Sequence, residues 1–320
     1  MGLSNSKVIR DKFPFFFNNK GSESKRSNKN GPDKFRFENG KRYHNVENST
    51  YFLPNDNDEC DRLQLQHFIE RYIWQDNFFA PVNHLLNQEG TMVLDVGTGP
   101  GTWLLEMATN YPKSKFIGID ISPVQPNTIK PKNAEFIEGN VLKHLPFPDD
   151  TFNYVFQRFL NVGIPEKSWP SVINELVRVL KPGGYIELLE VEVLFNKMGP
   201  ATARLMDGIL IIFGENGLDQ MTCHKLQGFL EGHRQLHDVH SEIKKSIDNE
   251  DSEKLYKLMY ENYATGLISL KPKLMNIIGA SSNEYDDLIK KMGNEIIELE
   301  SFSLRVRVYA QKLNTANSDA

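Results

Sequence analysis

The run Val93-Leu94-Asp95-Val96-Gly97-Thr98-Gly99-Pro100-Gly101-Thr102 places three glycines where an apolar stretch gives way to a helical one. Glycine lets the backbone turn sharply and come close to a ligand, at positions where a side chain would collide with it. A lone Gly-x-Gly-x-x-Gly string is weak evidence, and here Thr102 holds the last position. The second feature is Asp120, 19 residues after Gly101 and at the end of the next apolar run. A carboxylate there can accept hydrogen bonds from both hydroxyls of a ribose. Taken alone, an Asp followed by Ser122 and Pro123 reads better as a helix N-cap; a glycine turn one strand away favours the ribose.

Two nucleotide chemistries then compete. A nicotinamide dinucleotide wants a third glycine for close helix packing and sets its diphosphate at the helix N-terminus. Here Asp95 stands at the end of the first strand. An acid aimed at the pocket opposes a diphosphate but suits a ligand carrying an ammonium and a sulfonium. The loop therefore favours S-adenosylmethionine over NAD.

At this point the residues match a family. Asp95–Gly101 resembles motif I of class I S-adenosylmethionine-dependent methyltransferases, and Gly118-Ile119-Asp120 their acidic second-strand end. Glu138-Gly139-Asn140 is similar to the third-strand end that borders the adenine. The stretch 145–155 resembles the approach to the fourth strand, and Arg178-Val179-Leu180-Lys181-Pro182-Gly183-Gly184-Tyr185 the turn before the fifth. A narrower resemblance is to fungal LaeA-like methyltransferases. It rests on Tyr51-Phe52-Leu53-Pro54-Asn55-Asp56, Glu59, Arg62-Leu63, Gln66-His67, the 120–126 segment and Phe156-Gln157-Arg158. Two positions depart from the pattern: Asn140 stands where Asp is common, and Asn153 where Phe-Asp is usual.

The resemblance implies a Rossmann-like α/β fold: a seven-stranded, mostly parallel sheet with helices on both faces and an antiparallel last strand. It implies methyl transfer to a small-molecule or protein acceptor. A S-adenosylmethionine-binding regulator with little turnover is the alternative, and an NAD-dependent oxidoreductase a more distant one. By the same resemblance Gly97, Thr98, Gly99 and Gly101 surround the methionine moiety, and Asp95 reaches its ammonium directly or through water. Asp120 takes the ribose with Ile121 against the adenine, Asn140 and Val141 border the base, and Gln157 closes the pocket. Methyl transfer from a sulfonium is an in-line displacement in which the protein mainly positions donor and acceptor. A general base is optional; His67, Glu190 and His224 are candidates, each with a plainer structural reading. Arg158 reads as a receptor for a substrate carboxylate or, more simply, as a partner for a local acid. Tyr72, Trp74 and Asn77 are read as core, with capping of the cofactor pocket as the other option. No metal site is expected.

The elements that must position these residues follow from the pattern. Strands are expected over 91–96, 115–119, 134–138, 152–156 and 184–190, with helices over 101–110 and 170–180. That alternation implies a parallel sheet covered on both sides. Before it lie helices over 60–74 and 78–86. After it come helices over 200–215, 252–278 and 284–299, and strands over 239–247 and 301–311. In the last strand Phe302, Leu304, Val306, Val308 and Ala310 share one face, with Arg305, Arg307 and Tyr309 on the other. The division expected is a disordered basic arm over 1–50, a helical extension over 51–90, the methyltransferase domain over 91–312 and a flexible tail over 313–320.

Composition fits an ordinary globular chain: 320 residues, 39% hydrophobic, 25% charged. The charge is uneven. Residues 1–42 hold eleven Lys or Arg against four acids, while the remainder holds 26 against 38. Cys60 and Cys223 are too few for a disulfide framework or a zinc site. No apolar run approaches the roughly 20 residues of a membrane span. Met1-Gly2-Leu3-Ser4-Asn5-Ser6 fits the N-myristoylation pattern, with the basic residues beyond as a second membrane signal. The expectation is a cytoplasmic protein, with membrane association through the arm weighed evenly against a merely soluble tail whose first residues match the pattern by accident. A nuclear address at Lys25-Arg26 is the alternative and a mitochondrial presequence a weaker one. No specific nucleic-acid binding is expected.

Overall fold

The computed structural model describes residues 34–47, 49–247 and 252–314. Gly2, most of the basic arm and the tail beyond 314 lie outside the described residues. Where the arm was expected to continue, a hairpin pairs β1 (Phe35–Glu38) with β2 (Lys41–His44). Its turn is Asn39-Gly40, both with positive φ, which matches the right-handed twist of the two strands.

Helix α1 (Asn57–Trp74) starts where Asp56 accepts a hydrogen bond from Glu59 N at 3.1 Å, with Asp58 and Glu59 in the first turn. The helix expected over 78–86 shrinks to α2 (Asn83–Leu86). Then β3 (Met92–Val96), α3 (Thr102–Asn110), β4 (Lys115–Asp120), β5 (Ala134–Glu138), β6 (Phe152–Arg158), α4 (Trp169–Val179) and β7 (Leu180–Val191) alternate as expected. Next come α5 (Pro200–Glu215), α6 (Thr222–Glu231) and β8 (Leu236–Lys245). Helix α6 was not foreseen, and β8 starts three residues before the expected strand. The helical stretch after it divides into α7 (Ser252–Ser269) and α8 (Lys271–Ile278), because Pro272 in the first turn of α8 cannot donate to a continuing helix. A capping box of Ser281 and Glu284 opens α9 (Ser282–Glu298), and β9 (Leu304–Lys312) closes the sheet.

The seven strands order as β5-β4-β3-β6-β7-β9-β8. All pairs from β5 to β7 are parallel, and β9 is antiparallel to both of its neighbours. This is the seven-stranded, mostly parallel sheet expected of a Rossmann-like fold. Alternation along the strands sends Leu94, Val96, Ile117, Val155, Val306 and Val308 to one face, against α4 and α6. Val93, Phe116, Tyr154 and Phe156 go to the other, where Trp103 stacks on Phe156 with centroids 4.0 Å apart. Helices α1, α5, α7, α8 and α9 form a second apolar cluster of their own.

The odd-numbered face of β9 is as deeply buried as its even face. Arg305 is 3% exposed and paired through Nε with the equally buried Glu70 of α1 at 2.8 Å. Arg307 lies 4.0 Å over the Trp74 ring and pairs with Glu242 at 2.9 Å. Helix α1 is thereby fastened across the sheet. Among the described residues no helix is long and apolar enough to cross a membrane.

Candidate functional site

A cleft opens at the carboxyl ends of β3, β4, β5 and β6, the edge at which open parallel sheets bind their ligands. Its floor is the glycine turn. Gly97 has φ +69°, and a Cβ there would stand 2.5 Å from Leu160 Cδ2. Gly101 has φ +83° at the start of α3, with Phe136 Cζ 2.6 Å from where its Cβ would lie. Neither position admits a side chain without displacing a neighbour.

Asp120 faces this turn. Its Oδ2 accepts from Gly99 N and its Oδ1 from Ser122 N, both at 2.8 Å. Burial raises its pKa, and those backbone N–H groups pull the other way. Gln125 Nε2 donates to Gly99 O at 2.6 Å and Ser122 O at 2.9 Å, tying the turn to the segment after β4. A carboxylate held from behind in this way keeps lone pairs for a ligand's hydroxyls.

Seven of the ten expected cofactor residues line the cleft: Gly97, Thr98, Gly99, Asp120, Ile121, Asn140 and Val141. Asp95, Gly101 and Gln157 do not. Asp95 is buried behind Thr98, whose hydroxyl donates to its Oδ2 at 2.6 Å, and burial pushes its carboxyl up to about 6. It acts at one remove from the cleft. Gly101 only starts the helix. Gln157 is wholly buried and donates to Glu190 Oε1 at 2.6 Å, so its amide braces the strand pair instead of closing the pocket. Asn140 Oδ1 accepts from Leu142 N at 2.9 Å and so shapes its own turn. Asn153 sits away from the cleft, accepting from Met92 N at 3.0 Å and Lys181 Nζ at 3.1 Å.

The three candidate bases separate. Glu190 is 0% exposed and absent from the cleft wall; it accepts from Leu160 N at 2.8 Å and Asn161 N at 3.3 Å, and so pins the loop that covers Gly97. His224 lies outside the cleft on α6, 3.2 Å from Glu192. His67 does line the cleft, but both ring nitrogens are engaged: Arg158 Nη2 donates to Nδ1 at 3.0 Å, and Nε2 meets Glu106 at 2.7 Å. An arginine only donates, so Nδ1 is the acceptor and Nε2 carries the proton. Burial lowers the His67 pKa to about 4, keeping the ring neutral. Trp74 and Asn77 border a separate small cavity, and Tyr72 is on the surface.

The sequence reading missed the wall built by the extension. Tyr51, Glu59, Cys60, Leu63 and Gln66 all face the cleft, and the α1 members share one helical stripe by their three-to-four-residue spacing. That spacing was visible in the sequence; that the stripe faces the glycine turn was not. Glu59 is fully buried and bound by both ends of the Arg62 guanidinium, at 2.6 and 2.7 Å.

Glu190 makes a pH prediction. Burial lifts its carboxyl from the ordinary 4.5 to about 8. Between those values the folded chain holds a proton that the unfolded chain has lost. Its contribution to stability is therefore complete below pH 4.5 and disappears as the pH rises through 8. The melting temperature of the wild type minus that of Glu190→Gln should fall steadily across this window. A difference that stays flat would show that Glu190 titrates like an exposed glutamate.

Residues 93–184 match the methyltransferase domain family. The chain is 33% identical over 192 residues to methyltransferase pytC of Aspergillus terreus, covering 58% of this chain and 57% of that one. It is 31% identical over 177 residues to protein-methionine methyltransferase laeA of Emericella nidulans, covering 52% and 43%. The chain thus spans about half the length of the curated relatives it matches. A solved S-adenosylmethionine-dependent methyltransferase from Methanosarcina mazei aligns at 21% identity and TM-score 0.44, over 74% of this chain and 99% of that one. The motif order, the sheet order and the matched domain thus agree: residues 93–184 match a methyltransferase domain, and the chain is similar to fungal methyltransferases, laeA among them.

Proposed function

We propose that this protein binds S-adenosylmethionine in the cleft and transfers its methyl group to a small-molecule or protein acceptor. The observation that carries the proposal is the clamp of Asp120 by Gly99 N and Ser122 N. It holds an anionic hydroxyl acceptor over a turn that side chains cannot enter. When bound, the cofactor supplies an electrophilic methyl on a sulfonium. The chain's own part is to seat it. The turn's backbone meets the methionine end, Asp120 takes the ribose, and Ile121, Asn140 and Val141 border the base. Asp95 adds negative charge behind Thr98, favouring a cationic ligand over a diphosphate.

Calorimetric titration with S-adenosylmethionine and S-adenosylhomocysteine tests this. The wild type should saturate with both and ignore NAD, and Asp120→Ala should weaken both by about 100-fold or more, the value of two charge-assisted hydrogen bonds. No saturation by a folded wild type would end the proposal. One observation favours a second reading, a cofactor-binding regulator with little turnover: His67, the candidate base that lines the cleft, gives its ring lone pair to Arg158. A methylated product from any acceptor at catalytic turnover removes that reading.

A further inference from the structure

Arg158 ends β6 beside the glycine turn. In the strand register Val96 of β3 stands opposite Gln157, so the next pair brings Arg158 alongside Gly97. Its side chain reaches both the cleft wall and the small cavity beneath it. Among the described residues its guanidinium makes one hydrogen bond, to the neutral His67 ring, and no ion pair.

The nearby acids each have another partner, although Glu70 keeps its Oε2 buried without a hydrogen bond. Glu70 is paired with Arg305 at 2.8 Å, Glu106 with His67 and with Arg71 at 3.2 Å, and Asp95 accepts from Thr98. They lend Arg158 only a distant attraction, and burial pulls its pKa down despite them. Arg158 is half-buried at the cleft wall, and a guanidinium so placed without a bonded anion has a planar fork free to take the two oxygens of a carboxylate.

Resting on the cofactor reading above, we infer that Arg158, oriented by His67 and Glu106, is the receptor for the α-carboxylate of the cofactor's methionyl group. The register sets it beside Gly97, at the end of the cleft where the turn approaches the ligand, while Asp120 stands one strand further on. The acid and the base then divide the ligand: Asp120 takes the neutral hydroxyls and Arg158 the carboxylate. Among the described residues the ring of His67 has no other donor at Nδ1, so its task is to aim the guanidinium.

Removing only the ligand's carboxylate tests this. Titrations of the full chain would compare S-adenosylmethionine with decarboxylated S-adenosylmethionine, and S-adenosylhomocysteine with decarboxylated S-adenosylhomocysteine, for wild type, Arg158→Gln and Arg158→Lys. The wild type should prefer the carboxylate-bearing member of each pair by about 10- to 100-fold. Arg158→Gln should erase that preference while binding the truncated ligands as the wild type does. Arg158→Lys, which keeps the charge but loses the fork, should fall between. Equal weakening of all four ligands, or unchanged affinity for the complete ones, overturns the assignment. Failure of the wild type to bind any of the four would instead overturn the cofactor reading, and this one with it.

Discussion

Replacing Gly97 with valine is expected to abolish measurable binding of S-adenosylhomocysteine, with an affinity loss of about 100-fold or more. Two effects combine. The backbone at Gly97 has φ +69°, a region in which a β-branched residue is strained by about 1–3 kcal/mol. The new side chain must also displace Leu160, whose Cδ2 would lie 2.5 Å from its Cβ. Leu160 is itself tied by its N–H to Glu190, so the cleft wall moves with it. Gly90 provides the control: its φ is +84°, yet a Cβ there meets nothing within 4 Å. Gly90→Val should lose only the stability that the backbone strain costs and keep its affinity. Wild-type affinity in a folded Gly97→Val protein would show that the turn does not approach the ligand.

The second large effect concerns stability. Glu70→Ala leaves Arg305 buried without its carboxylate, retaining among the described residues only the Ser303 oxygens at 3.1 and 3.4 Å. Breaking a buried pair from one side costs about 3–5 kcal/mol, because the remaining charge is stranded. Urea unfolding should register a loss of that size. Replacing both partners with methionine should recover most of it, since two apolar side chains leave no charge behind. A loss under about 1 kcal/mol in the single variant would mean that water reaches Arg305 and that α1 is not fastened there.

What was legible in the sequence was local. The glycine turn and Asp120 are recognisable because their geometry is set by a few neighbouring residues. The parallel strands declare themselves as short apolar runs. Asn39-Gly40 was an equally local signal for the hairpin, with Phe35 and Phe37 alternating with Arg36 and Glu38 before it, but the basic, polar composition of the arm masked it. The rest depended on distant contacts. Nothing within β9 says that Arg305 and Arg307 are covered, since the cover is Glu70 and Trp74 of α1. Glu190 reads as a strand-end acid until Leu160 and Asn161 fold over it. Asp95 reads as a ligand contact until the Thr98 hydroxyl is seen to stand in front.

The position of β9 also bears on how the chain is made. It lies between β7 and β8 and, among the described residues, is their only link in the sheet, yet it follows both in sequence, with α7, α8 and α9 synthesised in between. As the polypeptide leaves the ribosome, β7 therefore waits with one raw edge and β8 with no partner until Leu304–Lys312 emerges to zip them together. Unpaired strands invite pairing with other chains. Nascent chains stalled in that interval, and fragments cut within it, are the forms of this protein for which chaperones would have most to do.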